Sequence, residues 1–217
     1  MHPPAPTDIR IPENLLPADG RFGCGPSKVP PSAMEALAAA GTSVMGTSHR
    51  QSTVKSVVGR LRAGVASLFA LPEGYEVVLG NGGTTVFWDV ASFGLIRERS
   101  QHLSFGEFSS KFAQVAAAAP HLLEPSVLSA PAGTRPAGPV AEDGVDLYAL
   151  THNETSTGVM APVERPAGAD PDALVAVDAT SGAGGLRFDP AQVDAYYFAP
   201  QKCFASDGGL WVAVLSP

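Results

Sequence analysis

From residue 75 onward the chain is punctuated by short apolar runs that each end in glycine or a polar loop. They are YEVVLG before NGGTT, HLSF before GEFSS, DLYAL before THNETSTG, ALVAVDA before TSGAGG, and DAYYFAP before QKC. Runs this short, apolar on both faces, read as buried parallel strands, because a parallel sheet is covered on both sides and has no wet face to alternate with. Between them, residues 85–95 and 109–119 are compatible with helix, so strands and helices alternate. The pattern predicts an α/β chain: a mainly parallel sheet with helices on both faces. With 217 residues and 45% hydrophobic content, the chain is long enough to bury such a core.

The N-terminal part has a different texture. Pro3, Pro4, Pro6, Pro12 and Pro17 block helix over residues 1–20 and predict an extended strap, leaving 21–217 as one large domain. Ser32 and Glu35 stand at capping-box spacing, and the helix they start is expected to stop at Gly41. A second helix is expected over residues 52–71, where Val54, Val57, Val58, Leu61, Val65, Leu68 and Phe69 recur at helical intervals before Pro72-Glu73-Gly74. The sequence ends just after the apolar run WVAVL with no closing helix, as expected of a large domain incomplete at its C-terminus.

A net charge of −7 with scattered cations argues against nucleic-acid or anionic-membrane partners, which call for basic stripes. Cys24 and Cys203 lie far apart in a chain without a secretory signal or an apolar window of membrane-spanning length, the pattern of a soluble, reduced cytoplasmic protein. His49 and His152 have no ligand-spaced partners, so no metal site is expected.

In an open α/β sheet, ligands sit at the carboxyl ends of the strands, where each of these polar loops lies. Gly80-Asn81-Gly82-Gly83-Thr84-Thr85 follows a strand and opens a helix, so its backbone N–H groups and hydroxyls can receive an anion. It is neither a Walker loop nor a dinucleotide fingerprint, and an ordinary strand-to-helix turn reads the same way. Asp178 ends an apolar run, where a carboxylate calls for a cation. Lys202 ends the next strand, and Phe105 is a candidate aromatic plate. Singly, Asp178 is equally a turn residue, Lys202 a solvated strand-end lysine and Arg50 a surface cation. Together, an amine, a carboxylate, a helix-start anion site and an aromatic ring are what pyridoxal 5'-phosphate requires.

FAPQKCFASDGGLW, HNETSTG, AVDATSG, RFGCGPSKVP and Ser48-His49-Arg50 together resemble the phosphoserine aminotransferase family, in the branch typical of high-GC bacteria. The resemblance covers nearly the whole chain and little more than half of that family's usual length. It implies the large domain of fold type I of the pyridoxal-phosphate enzymes, with the C-terminal small domain missing. It implies Lys202 as the Schiff-base lysine, Asp178 as the partner of the pyridinium nitrogen, Gln201 beside the phosphate, and Thr155 near the phenolic oxygen. It also implies Phe105 as the stacking ring, Gly83 and Thr84 in the phosphate turn, and Cys24, His49 and Arg50 toward the substrate. The activity implied is amino transfer between glutamate and 3-phosphohydroxypyruvate by a cytoplasmic homodimer, in serine and possibly pyridoxine biosynthesis. Thr84 stands where many relatives have arginine, Cys24 where they have serine, and the absent domain would supply further substrate cations. A cysteine desulfurase or an alanine–glyoxylate-type transaminase is a neighbouring reading, although desulfurases place histidine where this chain has Gln201 and Phe105. A non-catalytic fragment acting as an interaction module is the reading from another class.

Overall fold

The computed structural model describes residues 10–17 and 23–217. In chain order the elements are α1 (Pro31–Val44), α2 (Ser52–Leu68), β1 (Glu76–Asn81), α3 (Thr84–Gly94), β2 (Ser100–Ser104), α4 (Glu107–Ala118) and β3 (Ser126–Ser129). They continue with β4 (Leu147–Thr151), β5 (Asn153–Glu154), β6 (Val159–Met160), β7 (Leu174–Asp178), β8 (Ala195–Phe198) and β9 (Leu210–Leu215).

Seven strands form one sheet in the order β1-β9-β8-β7-β4-β2-β3, while β5 and β6 make a small separate hairpin. The β8–β7, β7–β4, β4–β2 and β2–β3 pairs are parallel, and β9 is antiparallel to both β8 and β1. Every strand of the sheet except β9 therefore points the same way. The sheet is mainly parallel, as its short apolar runs predict.

Side-chain alternation divides the core in two. Tyr148, Leu150, Val175, Val177, Tyr196, Phe198, Val212 and Val214 face one side, where Val65 and Ala66 of α2 and Phe69 just beyond it pack. Leu147, Ala149, Ala176, Ala195, Tyr197 and Ala213 face the other, against Phe87, Trp88 and Ala91 of α3 and Phe112 and Ala116 of α4. The period of two in the strands is what sends alternate residues to opposite helical layers. Gly80 has a specific reason to be glycine: a Cβ there would lie 2.0 Å from the ring of Trp211, its cross-strand neighbour on β9.

Local expectations shift at the N-terminal end. The first helix runs from Pro31 rather than from a Ser32 cap, with Pro30 at the N-cap position, no side-chain cap and proline in the first turn. Proline already presets the helical φ and has no N–H to satisfy. Gly41 lies inside this helix and its carbonyl accepts the N–H of Met45, so the stop falls at Val44. The second helix ends at Leu68, before Ala70 takes a positive φ of 48°. The edge strand β3 escapes the sequence reading because SVLS is too short to show a period. Of the expected strap, residues 1–9 and 18–20 lie outside the described residues, and Glu13–Leu15 forms one exposed 3-10 turn. Among the described residues no helix is long and apolar enough to cross a membrane.

Candidate active site

A cleft of about 240 Å³ opens at the carboxyl end of the sheet, lined from five directions. Gly83, Thr84 and Thr85 reach it from the start of α3, Phe108 from the start of α4, Thr151, Asn153 and Thr155 from the end of β4 and the hairpin, Asp178 and Thr180 from the end of β7, and Gln201 and Lys202 from the loop after β8. Thr151 pairs with Asp178 across the β4–β7 register, so two lining residues are cross-strand neighbours. The expected Lys202, Asp178, Thr155, Gln201, Gly83 and Thr84 are thus brought to one place, at the strand ends where open α/β sheets hold ligands.

Asp178 is buried at 7% exposure. Its Oδ1 accepts the Thr180 N–H at 2.9 Å and the Thr180 hydroxyl at 2.6 Å, and that hydroxyl also lies 2.8 Å from the hydroxyl of Thr84. No cation pairs with it among the described residues. Burial pushes its pKa up, with the Thr180 bonds pulling the other way. Opposite, Thr155 Oγ1 lies 2.7 Å from Ser181 Oγ, which also receives the Asn153 amide at 2.9 Å. Gln201 Oε1 is buried without a hydrogen-bond partner. A buried polar atom without a partner is costly unless something else satisfies it.

Lys202 donates from Nζ to the Cys24 carbonyl at 2.9 Å. Ser27 clamps the same loop, its N–H to the Gln201 carbonyl at 2.7 Å and its hydroxyl to the Lys202 carbonyl at 2.5 Å. Gly25 permits this crossing: a Cβ there would lie 2.6 Å from Lys202 Nζ. Cys24 thus meets the site through its backbone, and both cysteines are free and exposed.

Phe105, His49 and Arg50 lie outside this lining. Phe105 lies in the core at 2% exposure and does not line the cleft. One residue beyond β2, it keeps that strand's inward alternation, whereas Phe108, 39% exposed in the first turn of α4, presents to the cleft. His49 and Arg50 are exposed in the turn before α2 and are not among the cleft-lining residues. His152 is buried with Nδ1 3.0 Å from the Tyr196 hydroxyl, and burial holds its pKa down at about 4.

Two helix starts face this end of the sheet, and they differ. The start of α3, with Gly83 at the N-cap position, carries no side-chain cap. The start of α4 is filled by the carboxylate of Glu154, which accepts the N–H groups of Phe108 and Ser109 at 3.1 and 2.8 Å. An added anion therefore finds free donors at α3 and an existing negative charge at α4. Glu154 was missed from sequence because its partners lie 45 and 46 residues upstream.

The residues fit pyridoxal phosphate on these grounds: an uncapped helix start, a buried carboxylate without a cation among the described residues, and a lysine amine lining the same cleft. Residues 136–215 match the family described as aminotransferase class-V. A phosphoserine aminotransferase structure from Cytophaga hutchinsonii superposes with a TM-score of 0.81 at 30% identity, covering 89% of this chain and 54% of that one. An aspartate aminotransferase of subgroup IV from Thermus thermophilus gives 0.75, also at 30% identity, over 89% of this chain and 56% of that one. The mainly parallel sheet with its flanking helices matches the fold type I, class-V aminotransferases among these structures. Within that class the sequence is related along nearly its whole length to phosphoserine aminotransferase, being 68% identical to the Nocardioides sp. protein over 210 residues. That match covers 96% of this chain and 56% of the relative, so the chain spans about half the length of the curated relatives it matches.

Proposed function

We propose that the chain carries the cofactor-binding half of a phosphoserine transaminase that moves an amino group between glutamate and 3-phosphohydroxypyruvate. The observation that carries this is the convergence of Lys202, Asp178, Thr155, Gln201 and the uncapped start of α3 on one cleft, in a chain 68% identical to a phosphoserine aminotransferase. When bound, pyridoxal phosphate supplies an electron sink for bond breaking at the α-carbon of the amino acid. The N–H groups at the start of α3, with the Thr84 and Thr85 hydroxyls and Gln201, would hold its phosphate. Asp178 would keep a proton on the ring nitrogen, and the neutral alternative is unfavourable beside a buried carboxylate. Thr155 would donate to the phenolic oxygen, and Phe108 would cover one ring face. The Lys202 amine, which lines the cleft, would anchor the cofactor's aldehyde and would serve as the base that accepts and returns the substrate's α-proton.

This reading extends to a cytoplasmic homodimer in serine and pyridoxine formation that takes small-molecule substrates and neither nucleic acid nor membrane. Its support is the sequence relationship and the acidic net charge. The desulfurase alternative loses ground because Gln201 precedes the lysine and Phe108 lines the cleft, with no histidine at either place.

The test begins with the protein incubated with pyridoxal phosphate, reduced with borohydride and mapped by peptide mass. The label is expected on Lys202, and a label on Lys28, Lys55 or Lys111 overturns the assignment. In the full-length protein, phosphohydroxypyruvate should then outcompete glyoxylate as amino acceptor; a preference for glyoxylate moves the reading to the alanine–glyoxylate type.

A further inference from the structure

Glu154 is a fully buried carboxylate at 0% exposure, and every bond it accepts leads to one of two backbone segments. Oε2 accepts the N–H groups of Phe108 and Ser109 and the Ser109 hydroxyl, at 3.1, 2.8 and 2.9 Å. Oε1 accepts the Ser156 N–H at 3.2 Å and the Ser156 hydroxyl at 2.7 Å. The two serines complete the seal: Ser109 Oγ receives the N–H groups of Phe105 and Gly106, and Ser156 Oγ that of Glu107. Thus the N–H groups of residues 105–109 are all satisfied by three side chains, and Glu154 bonds to the other two. The cost of burying a carboxylate is offset by these bonds, which hold its pKa down against desolvation.

Glu154 lies between Asn153 and Thr155, which line the cleft, and it holds the N–H of Phe108, which lines the cleft from the start of α4. Gly106 leaves room for this link: its φ of 177° is open to any residue, yet a Cβ there would lie 2.3 Å from Glu154 Cγ. The glycine is therefore required by the carboxylate and not by the backbone.

We propose that Glu154 is a positioning residue that fixes Phe108 relative to Thr155, and so sets how closely a planar ring is held against Phe108 in the cleft. The part concerning the ring rests on the cofactor reading above. Glutamine at 154 keeps one acceptor and turns the other into a donor facing N–H or hydroxyl groups, with little change in volume.

In Glu154→Gln, amide exchange at Phe108 and Ser109 of the cofactor-free protein is expected to speed by about tenfold or more, with β7 amides unchanged. Pyridoxal phosphate affinity is expected to fall about tenfold in Glu154→Gln and similarly in Phe108→Ala, with no further loss in the double variant. Unchanged exchange at 108 and 109, or losses that multiply in the double variant, overturns the proposal. If the parent protein takes up no pyridoxal phosphate, the cofactor reading fails, and the exchange measurement alone decides whether Glu154 holds Phe108. Should Glu154→Gln not fold, Gly106→Ala displaces the same carboxylate by contact and is expected to give the same two signatures; parent-like exchange and affinity there overturn the proposal equally.

Discussion

At the scale of single residues, Asp178 and Gly80 are held by opposite constraints. Asp178 is a carboxylate kept out of water with Thr180 donating to it, and burial raises its pKa above the ordinary carboxylate value. A carboxylate with a raised folded pKa withdraws stability as pH rises through that value, and costs nothing below its unfolded value near 3.9. Asp178→Asn keeps an oxygen for Thr180 and removes the charge. The cofactor-free variant is expected to unfold at higher urea than the parent at pH 7–8, with the gap closing on acidification; in the same variant, transamination by the full-length protein should be lost. Full activity would remove Asp178 from the ring nitrogen. Gly80 is governed by contact alone: Gly80→Ala puts a methyl into the ring of Trp211 in the middle of the β1–β9 pairing. Overpacking of this kind should lower unfolding free energy by about 3 kcal/mol, read from the denaturation midpoint.

At the scale of elements, the informative comparison is between two helix starts. Both α3 and α4 follow strands that run toward the cleft, so the N–H groups of either helix start could face an anion there. Glu154 settles this physically, because its charge already occupies the α4 terminus and leaves α3 open. Thr84, at the first turn of α3 and in contact with Thr180, belongs to the open one. Replacing Thr84 by alanine is expected to weaken pyridoxal phosphate about tenfold, the worth of one hydrogen bond to a charged group, and to leave pyridoxal binding unchanged. Equal losses for both ligands would place the phosphate elsewhere. The same scale explains where the two phenylalanines go. HLSF followed by GEF offers two phenylalanines three residues apart, and only the exact end of β2 and the first turn of α4 decide that Phe105 enters the core and Phe108 faces the cleft.

For the molecule as a whole, two buried histidines should govern acid stability. His102 sits in the core beside Ser100 and edge-on to Phe112, with burial holding its pKa down at about 3, and His152 is held at about 4. Both are neutral in the fold, whereas the unfolded chain takes up protons at about 6.5. The unfolded state therefore binds more protons below that pH, and stability falls as pH drops from about 6.5 toward 4. Each histidine contributes a slope of about 1.4 kcal/mol per pH unit, opposed in part by Asp178. Urea unfolding at intervals from pH 7.5 to 5 should show this decline; a flat profile would mean that these rings are protonated in the fold.

Much of this architecture was legible in one dimension. A run such as ALVAVDA carries its own instructions: no polar face means burial on both sides, and alternation assigns Val175 and Val177 to one layer and Ala176 to the other. The residues at the ends of such runs that sequence alone grouped, Asp178, Thr155, Gln201 and Lys202, line one cleft. Strand order, the reversal of β9, the placement of Phe108 and the sealing of α4 by Glu154 were decided only in three dimensions. Local pattern sets which way a side chain points from its own strand, because that depends on adjacent φ and ψ. Which residue it meets depends on pairings made tens to more than a hundred residues away, as in Glu154 with Ser109 or Ser27 with Lys202, and nothing in the neighbouring sequence encodes those.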